Sequence, residues 1–484
     1  MTSPARRTHY LLTYAIIAVA GASFALLQSM TVPVLTRIEA ELGTDQSTVT
    51  WVLTAYLLSA SVFTPIIGRL GDAYGKERML VLSLSCLSIG SLIAAVAPNI
   101  EVMIAARVVT GMGGGVLPIS FGIIRDEFPE RRISAAVSFV SSLMAVGFGA
   151  GIVIAGPIVS WLGYHWLFWL PFIVTTVVAV AAKLFVPESP VRTPGRVPVL
   201  PALLLSGWLV PLLLGLSQAP QWGWGSLKVI ALVVLAVVLA VAWIVVEQRI
   251  DVPLIDMRMM RLRGVWTTNL VALLIGFAMY SMFGFLPQFL QTPESTGYGF
   301  GLDTTASGLL ILPNAIASFV CGLVAAPLAR RIGAKAVVVA GSTLGAVGIG
   351  SFTLFHDTSL QILAVNSVAG FGIGIVFASL GPLIIAAVPP EQTGVASGMN
   401  ANIRTIGGAI GSAVTATIVT SSVDGDGLPL ESSYVHAFIV IAALALASAV
   451  AGLSIPSISR RRLEARLAME PDERSLPEAC GARA

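Results

Sequence analysis

The chain has 484 residues, of which 56% are hydrophobic and only 11% charged, against roughly 25% charged in a soluble domain. That balance excludes a soluble enzyme or binding domain and requires an all-α polytopic membrane protein. The net charge of +3 implies no nucleic-acid partner, and Cys86, Cys321 and Cys480 have no spacing that suggests a disulfide framework or a metal site.

Arg6 and Arg7 precede an apolar run near 11–32 that is too long for a signal-peptide core and lacks a cleavage site, so it reads as a retained first helix. Further runs long enough to cross about 30 Å of hydrocarbon lie near 48–67, 79–97, 102–124, 134–158 and 166–186. The Pro/Arg linker PESPVRTPGRVP follows, then runs near 199–217 and 227–247, then the basic linker EQRIDVPLIDMRMMRLRG. Six more runs lie near 264–290, 305–328, 336–355, 360–387, 395–420 and 434–456. The total is about fourteen spans.

Positive charges test that count, because Lys and Arg collect in cytoplasmic loops. Alternate loops carry Arg69, Lys76 and Arg78; Arg125, Arg131 and Arg132; Arg192 and Arg196; Arg249, Arg258, Arg261 and Arg263; Arg330, Arg331 and Lys335; and Arg460, Arg461, Arg462 and Arg466. On the opposite side stand Arg37 and Lys228. Both termini are therefore expected to be cytoplasmic. An internal repeat accompanies the pattern: APLARRIGAK at 326–335 matches GRLGDAYGKE at 68–77 through Leu328 and Gly333, and PEQTGVASGMNANIRTIGGAIG from Pro390 echoes PERRISAAVSFVSSLMAVGFGAG from Pro129. The expected domains are a six-helix bundle over 1–190, a linker and inserted helix pair over 191–263, a second six-helix bundle over 264–457 and a cytoplasmic tail over 458–484, expected to be disordered. Repeats of this kind build alternating-access transporters.

Gly68 to Arg78 reads as a charged turn between two spans, with Gly68, Gly71 and Gly75 permitting close approach and Arg69, Asp72, Lys76 and Arg78 able to pair across it. This segment resembles the signature between the second and third helices of the major facilitator superfamily, and the chain is similar to its fourteen-helix drug:proton antiporter branch over nearly everything but the tail. Ala73 stands where a basic residue is usual. Arg107, Gly111 and Gly113 in IAARVVTGMGGG resemble the fourth-helix motif, with Thr110 where Gln is common. Gly147, Gly151 and Gly156 resemble the fifth-helix antiporter motif, with Ile152 in place of its proline and Pro157 one position past it. The resemblance implies the major facilitator fold and efflux of lipophilic compounds, with the proton gradient as driving force and no cofactor.

The residues themselves refine that expectation. Asp72 can bind charges or a helix N-terminus in one conformation and release them in another, a latch expected to stabilise the outward-facing state. Arg107 lies near mid-depth, where a guanidinium is costly and usually faces a cavity or a partner; Arg404, nearer the cytoplasmic end, reads as structural or gating. No Asp or Glu lies inside a predicted span, Glu101, Glu247 and Asp303 being at edges and Asp72, Asp126 and Glu127 in turns, while Gln28 occupies the first helix without a titrating group. A cavity bearing Arg107 and no acid should prefer neutral or anionic lipophilic compounds, and coupling would then use edge acids such as Asp126 or Asp72. Phe277, Tyr280, Gly284 and Gln288 share one face of the ninth run, near Met279, Met282 and Phe283, and are expected to line the substrate path with Asn314, Gln28 and Tyr56. The glycines of the fifth run, with Pro157, and Gly407, Gly408 and Gly411 in the second half are expected to form the dry seam between bundles.

The expected protein is a monomeric multi-pass exporter of lipophilic small molecules in the cell membrane, contacting lipid. The alternatives are a dedicated exporter of one metabolite or natural product, and a membrane sensor on a transporter fold. No acid, base and nucleophile converge at one depth, so an enzyme is not expected.

Overall fold

The computed structural model describes residues 10–189, 198–424 and 428–456. Arg192, Arg196 and the tail from 458 to 484 lie outside the described residues. The described chain is helical, as a membrane span requires when lipid offers its backbone no hydrogen-bond partner.

Fourteen long helices are present among the described residues. The first six are α1 (Tyr10–Ser29), α2 (Trp51–Tyr74), α3 (Lys76–Ala95), α4 (Ile100–Glu127), α5 (Glu130–Leu162) and α6 (Trp166–Phe185). The next two are α7 (Val199–Trp222) and α8 (Leu227–Arg249). The last six are α9 (Arg263–Gln291), α10 (Thr304–Ile332), α11 (Ala334–Ser351), α12 (Ser359–Ala387), α13 (Thr393–Val419) and α14 (Glu431–Gly452). Thirteen are long and apolar enough to cross a membrane; α13 is long enough but too polar, because it carries Asn400, Asn402 and Arg404. It is instead wrapped by protein, packing on α9, α2, α4 and α7.

Polar side chains mark several helix starts. Asn99 accepts from the Val102 N–H at 2.9 Å and Asp303 from the Ala306 N–H at 2.7 Å, while Thr358 and Gln361 form a reciprocal capping box at the start of α12. The sharpest connection is between α2 and α3. Gly68 to Arg78 is not a loop: α2 runs through Tyr74, α3 begins at Lys76, and Gly75 alone turns the chain, at φ +121°. A side chain there would be strained and would meet the Glu188 carboxylate.

The repeat appears as a reciprocal packing of helices. Helix α5 lies along α10, its repeat-equivalent α13 lies along α2, and these two pairs join the halves. Helices α7 and α8 pack on each other, and α7 leans on α2 and α13 while α8 leaves most of its surface exposed.

Two sequence expectations change here. The basic segment after α8 is not a free linker, since Leu254, Ile255 and Met259 are buried. Nor are the spans free of acids: Asp72 lies inside α2 at 1% exposure and Glu247 inside α8 at 3%. Both carboxylates are tolerated because backbone N–H groups reach them. Glu247 accepts from the Leu254 N–H at 2.9 Å, the Ile255 N–H at 3.2 Å and the Trp243 Nε1–H at 3.0 Å, so it folds the following segment back onto the end of its own helix.

Candidate functional site: a cavity between the halves and its closed end

A cavity of about 70 Å³ lies between the halves, lined from α1, α2, α4 and α5 on one side and α9, α10, α12 and α13 on the other. A single water needs roughly 10–15 Å³ and pockets for drug-sized ligands measure some 300–1,000 Å³, so this is a nearly shut site that must open to admit one. Its walls are mainly Phe24, Phe148, Phe283, Phe377, Met144 and Met279. Flat rings and adaptable thioethers offer broad apolar contact without demanding one ligand shape.

Polar side chains interrupt the apolar wall, among them Gln28, Tyr56, Tyr280, Asn402 and Arg404. Gln28 donates from Nε2 to the Tyr280 hydroxyl at 3.2 Å, a bond from α1 to α9 across the two halves. Tyr56 lines the cavity from α2, and Arg107 stands behind it with its guanidinium carbon 4.6 Å from the Tyr56 ring centroid. Arg107 is fully buried and donates from Nε to the Val52 carbonyl at 3.1 Å, so it braces α4 against α2 rather than lining the cavity. The arginine that does line it is Arg404, which the sequence placed nearer the cytoplasmic end.

The remaining sequence candidates divide sharply. Gln28, Tyr56 and Tyr280 meet at the cavity. Phe277, Gly284, Gln288 and Asn314 are not among its lining residues. Phe277 is buried against Gly411, Gln288 is exposed near the end of α9, Gly284 faces open space, and Asn314 donates to the Asn366 side chain and carbonyl, both at 3.1 Å. Of the residues expected on this face of α9, Tyr280 alone is among those lining the cavity, the others being turned toward neighbouring helices or the surface.

The latch residues lie at the Gly75 end. Asp72 accepts from the Gly394 N–H at 3.3 Å and the Val395 N–H at 3.1 Å, so the acid sits on the N-terminus of α13, where unpaired backbone N–H groups and the helix dipole favour an anion. Gly68 makes that approach possible: a Cβ there would stand 2.6 Å from the Gly394 carbonyl oxygen. Arg69 is buried on the same turn as Asp72, and Gly71 packs on Ile119. Lys76 does not pair with Asp72; it meets Asp126 at 2.5 Å, both side chains being almost wholly buried, and Asp126 also binds Ser189. Asp126 thus ties α3 to the end of α4, far from the cavity lining. Arg78 approaches Glu188 at 3.6 Å, and Lys183 approaches Glu77 at 3.3 Å.

A second clamp at this end comes from Arg125, which the sequence offered only as one more positive charge. Its guanidinium donates to the Ile385 carbonyl at 3.0 Å, the Val388 carbonyl at 3.0 Å, the Pro389 carbonyl at 3.3 Å and the Thr393 hydroxyl at 2.7 Å. It therefore caps the carboxyl end of α12 from the opposite half. Asp72 and Arg125 thus both join the two halves at the Gly75 end.

The glycines of α5 divide between two neighbours. Gly147 and Gly151 admit α1, a Cβ at Gly147 standing 2.9 Å from the Ala22 carbonyl oxygen, while Gly149 and Gly156 admit Ala315 and Thr305 of α10. Pro157 lies inside α5 without interrupting it. Gly407 and Gly411 press on α9 within the second half, through Leu273 and Phe277, and do not face the first half. On α13 the contacts between halves belong to Gly394 and Gly398.

Comparison with known proteins gives this geometry a family. The model of the Major Facilitator Superfamily matches residues 17–412, and again 270–475. The cephamycin export protein CmcT of Amycolatopsis lactamdurans is 31% identical over 437 residues, covering 88% of this chain and 88% of that protein. The multidrug resistance protein B homolog of Mycobacterium tuberculosis is 27% identical over 392 residues, covering 79% and 71%. Among solved structures, the human organic anion transporter MFSD10 (TETRAN) superposes with a TM-score of 0.67 at 16% identity, covering 93% of this chain and all of that one, which supports the shared fold.

Proposed function

Since the chain belongs to the major facilitator superfamily, we propose that it is a secondary transporter that exports lipophilic small molecules across the cell membrane by alternating access. The observation that carries this reading is the cavity between the halves, lined by aromatic and thioether side chains and shut at one end by Asp72 and Arg125. Relatives named as antibiotic and multidrug exporters support it.

The distribution of Lys and Arg puts the Gly75 end in the cytoplasm, so the conformation closed there is outward-facing or occluded. Release of the α13 N-terminus from Asp72 then opens the cytoplasmic side. Proton coupling is assigned to Asp72. Among the described residues no carboxylate lines the cavity, while Asp72 is a buried acid whose charge holds the two halves together. Protonation removes that charge and weakens the clamp. The cargo is neutral or anionic, because two guanidinium groups stand at or just behind the cavity wall. The protein works as a monomer surrounded by lipid.

A second reading, export of one natural product, draws on the likeness to the cephamycin exporter. Both readings are tested in proteoliposomes under an imposed pH gradient, with neutral, anionic and cationic fluorescent lipophiles. Gradient-driven movement of the neutral and anionic probes is expected. Movement of the cation alone sinks the charge assignment, transport indifferent to the gradient sinks proton coupling, and transport confined to one chemical class selects the dedicated exporter.

A further inference from the structure

The arginines near the cavity and its closed end are held in different ways, and one of them, Arg404, is half-buried with a face on the cavity. Arg125 finds four oxygen acceptors, and Arg107 binds the Val52 carbonyl behind Tyr56. Arg404 has neither kind of support. Its guanidinium carbon stands 4.6 Å from the Phe377 ring centroid, it lines the cavity, and among the described residues no carboxylate lines the cavity with it. A guanidinium without a carboxylate partner among apolar walls is costly, and Arg404, unlike the fully buried Arg107, is partly exposed on the cavity, where a bound anion can meet it.

Two positions along the same helix, Asn402 is 2% exposed and also lines the cavity, and neither its amide nitrogen nor its amide oxygen has a hydrogen-bond partner. A buried amide left unpaired forfeits about 1–3 kcal/mol, so this is a second, independent sign of a missing ligand. On the neighbouring helix α9 the Tyr280 hydroxyl accepts from Gln28, which leaves its own hydrogen free to donate. Guanidinium, amide N–H and phenol are all donors, and the rest of the wall is mostly apolar, interrupted by Gln28, Tyr56, Ser61, Thr64, Ser318 and Thr405.

We propose that Arg404, Asn402 and Tyr280 form a recognition site for a carboxylate carried by an otherwise lipophilic molecule. The guanidinium supplies the charge and the directed N–H pair that a carboxylate accepts, Asn402 and Tyr280 add neutral donors, and Phe148, Phe283 and Met279 take the apolar body. A cation–π brace on Phe377 alone leaves Asn402 unexplained. The assignment rests on the export reading only for the direction in which the bound molecule travels.

The test uses the purified full-length protein in lipid nanodiscs and two probes that differ only at the acid: dansyl-leucine and its methyl ester. Wild type is expected to bind the free acid roughly tenfold more tightly than the ester, the scale of a charge-assisted hydrogen bond. Arg404→Gln should bring the acid down to the ester's affinity while leaving the ester within about twofold, and Arg404→Lys should retain a preference for the acid. Unchanged ester binding certifies the fold of each variant. Equal binding of acid and ester by wild type, or parallel loss of both in Arg404→Gln, overturns the site and leaves export standing. Arg404-dependent binding of the acid without any movement across proteoliposome membranes overturns export and leaves the site standing.

Discussion

Asp72 Oδ2, inside α2, accepts a hydrogen bond from the Val395 N–H at 3.1 Å, in the first turn of α13. The bond joins the two halves through a backbone group, so its strength depends on the acid's charge and not on the identity of the residue that donates to it. Around it, Gly68 and Gly394 allow the helices to meet closely enough for the contact to form.

Replacing that charge should loosen the closed end. Asp72→Asn keeps the size of the side chain and loses the anion at a helix N-terminus, a change of about 1–2 kcal/mol. A shift of that size moves the balance between conformations by roughly tenfold. Spin labels at Tyr74 and Ala386, in a background without native cysteines, should report a larger separated population in the variant. Transport should fall while membrane expression is unchanged; full activity with an unaltered distance distribution would remove the latch from the mechanism.

The seam between α5 and α10 should be intolerant of even a methyl group. A Cβ on Gly149 collides with the Ala315 Cβ, a backbone-anchored atom with no rotamer to escape into. Gly149→Ala is expected to cost about 1–3 kcal/mol and to lower both thermal stability and transport. Gly284→Ala is the matched control, since nothing lies within 4 Å of a Cβ there. Thermal melts of the two variants in one detergent decide the matter, and equal melting temperatures would contradict the packing described.

Glu247 should stabilise the fold through the segment it captures. Its carboxylate holds the Leu254 and Ile255 N–H groups and the Trp243 indole, so Glu247→Ala leaves three buried donors unpaired, at about 1–3 kcal/mol each before relaxation. Glu247→Gln retains one acceptor and should lose less. A lower melting temperature in the order wild type, Gln, Ala is expected, together with faster proteolysis near Arg258. Wild-type behaviour of the Ala variant would mean that the segment is held by Leu254, Ile255 and Met259 alone.

Sequence reasoning reached the architecture because each span must be an apolar helix of membrane length, and because Lys and Arg alternate between loops regardless of tertiary detail. It stopped at side-chain direction. Tyr280 and Phe277 belong to one helical face, yet the first meets Gln28 across the cavity and the second is buried under Gly411. Nor could it tell the two arginines apart by what they face: Arg107 and Arg404 both stand in glycine-containing helices, and only the packing of the halves puts Arg404 on the cavity wall and Arg107 behind Tyr56.

The sequence by itself determined the class, the helices and the repeat, since hydropathy, glycine and charge act locally and leave their mark along the chain. The tertiary structure decided what those marks do. Asp72 became a cap on α13 instead of a partner for Lys76, and Arg125, legible only as a loop charge, became the clamp on α12. The physical reason is that a hydrogen bond to a backbone group in the other half has no signature in the sequence of either partner: every residue has an N–H and a carbonyl, and only the packing of the halves selects which of them is met.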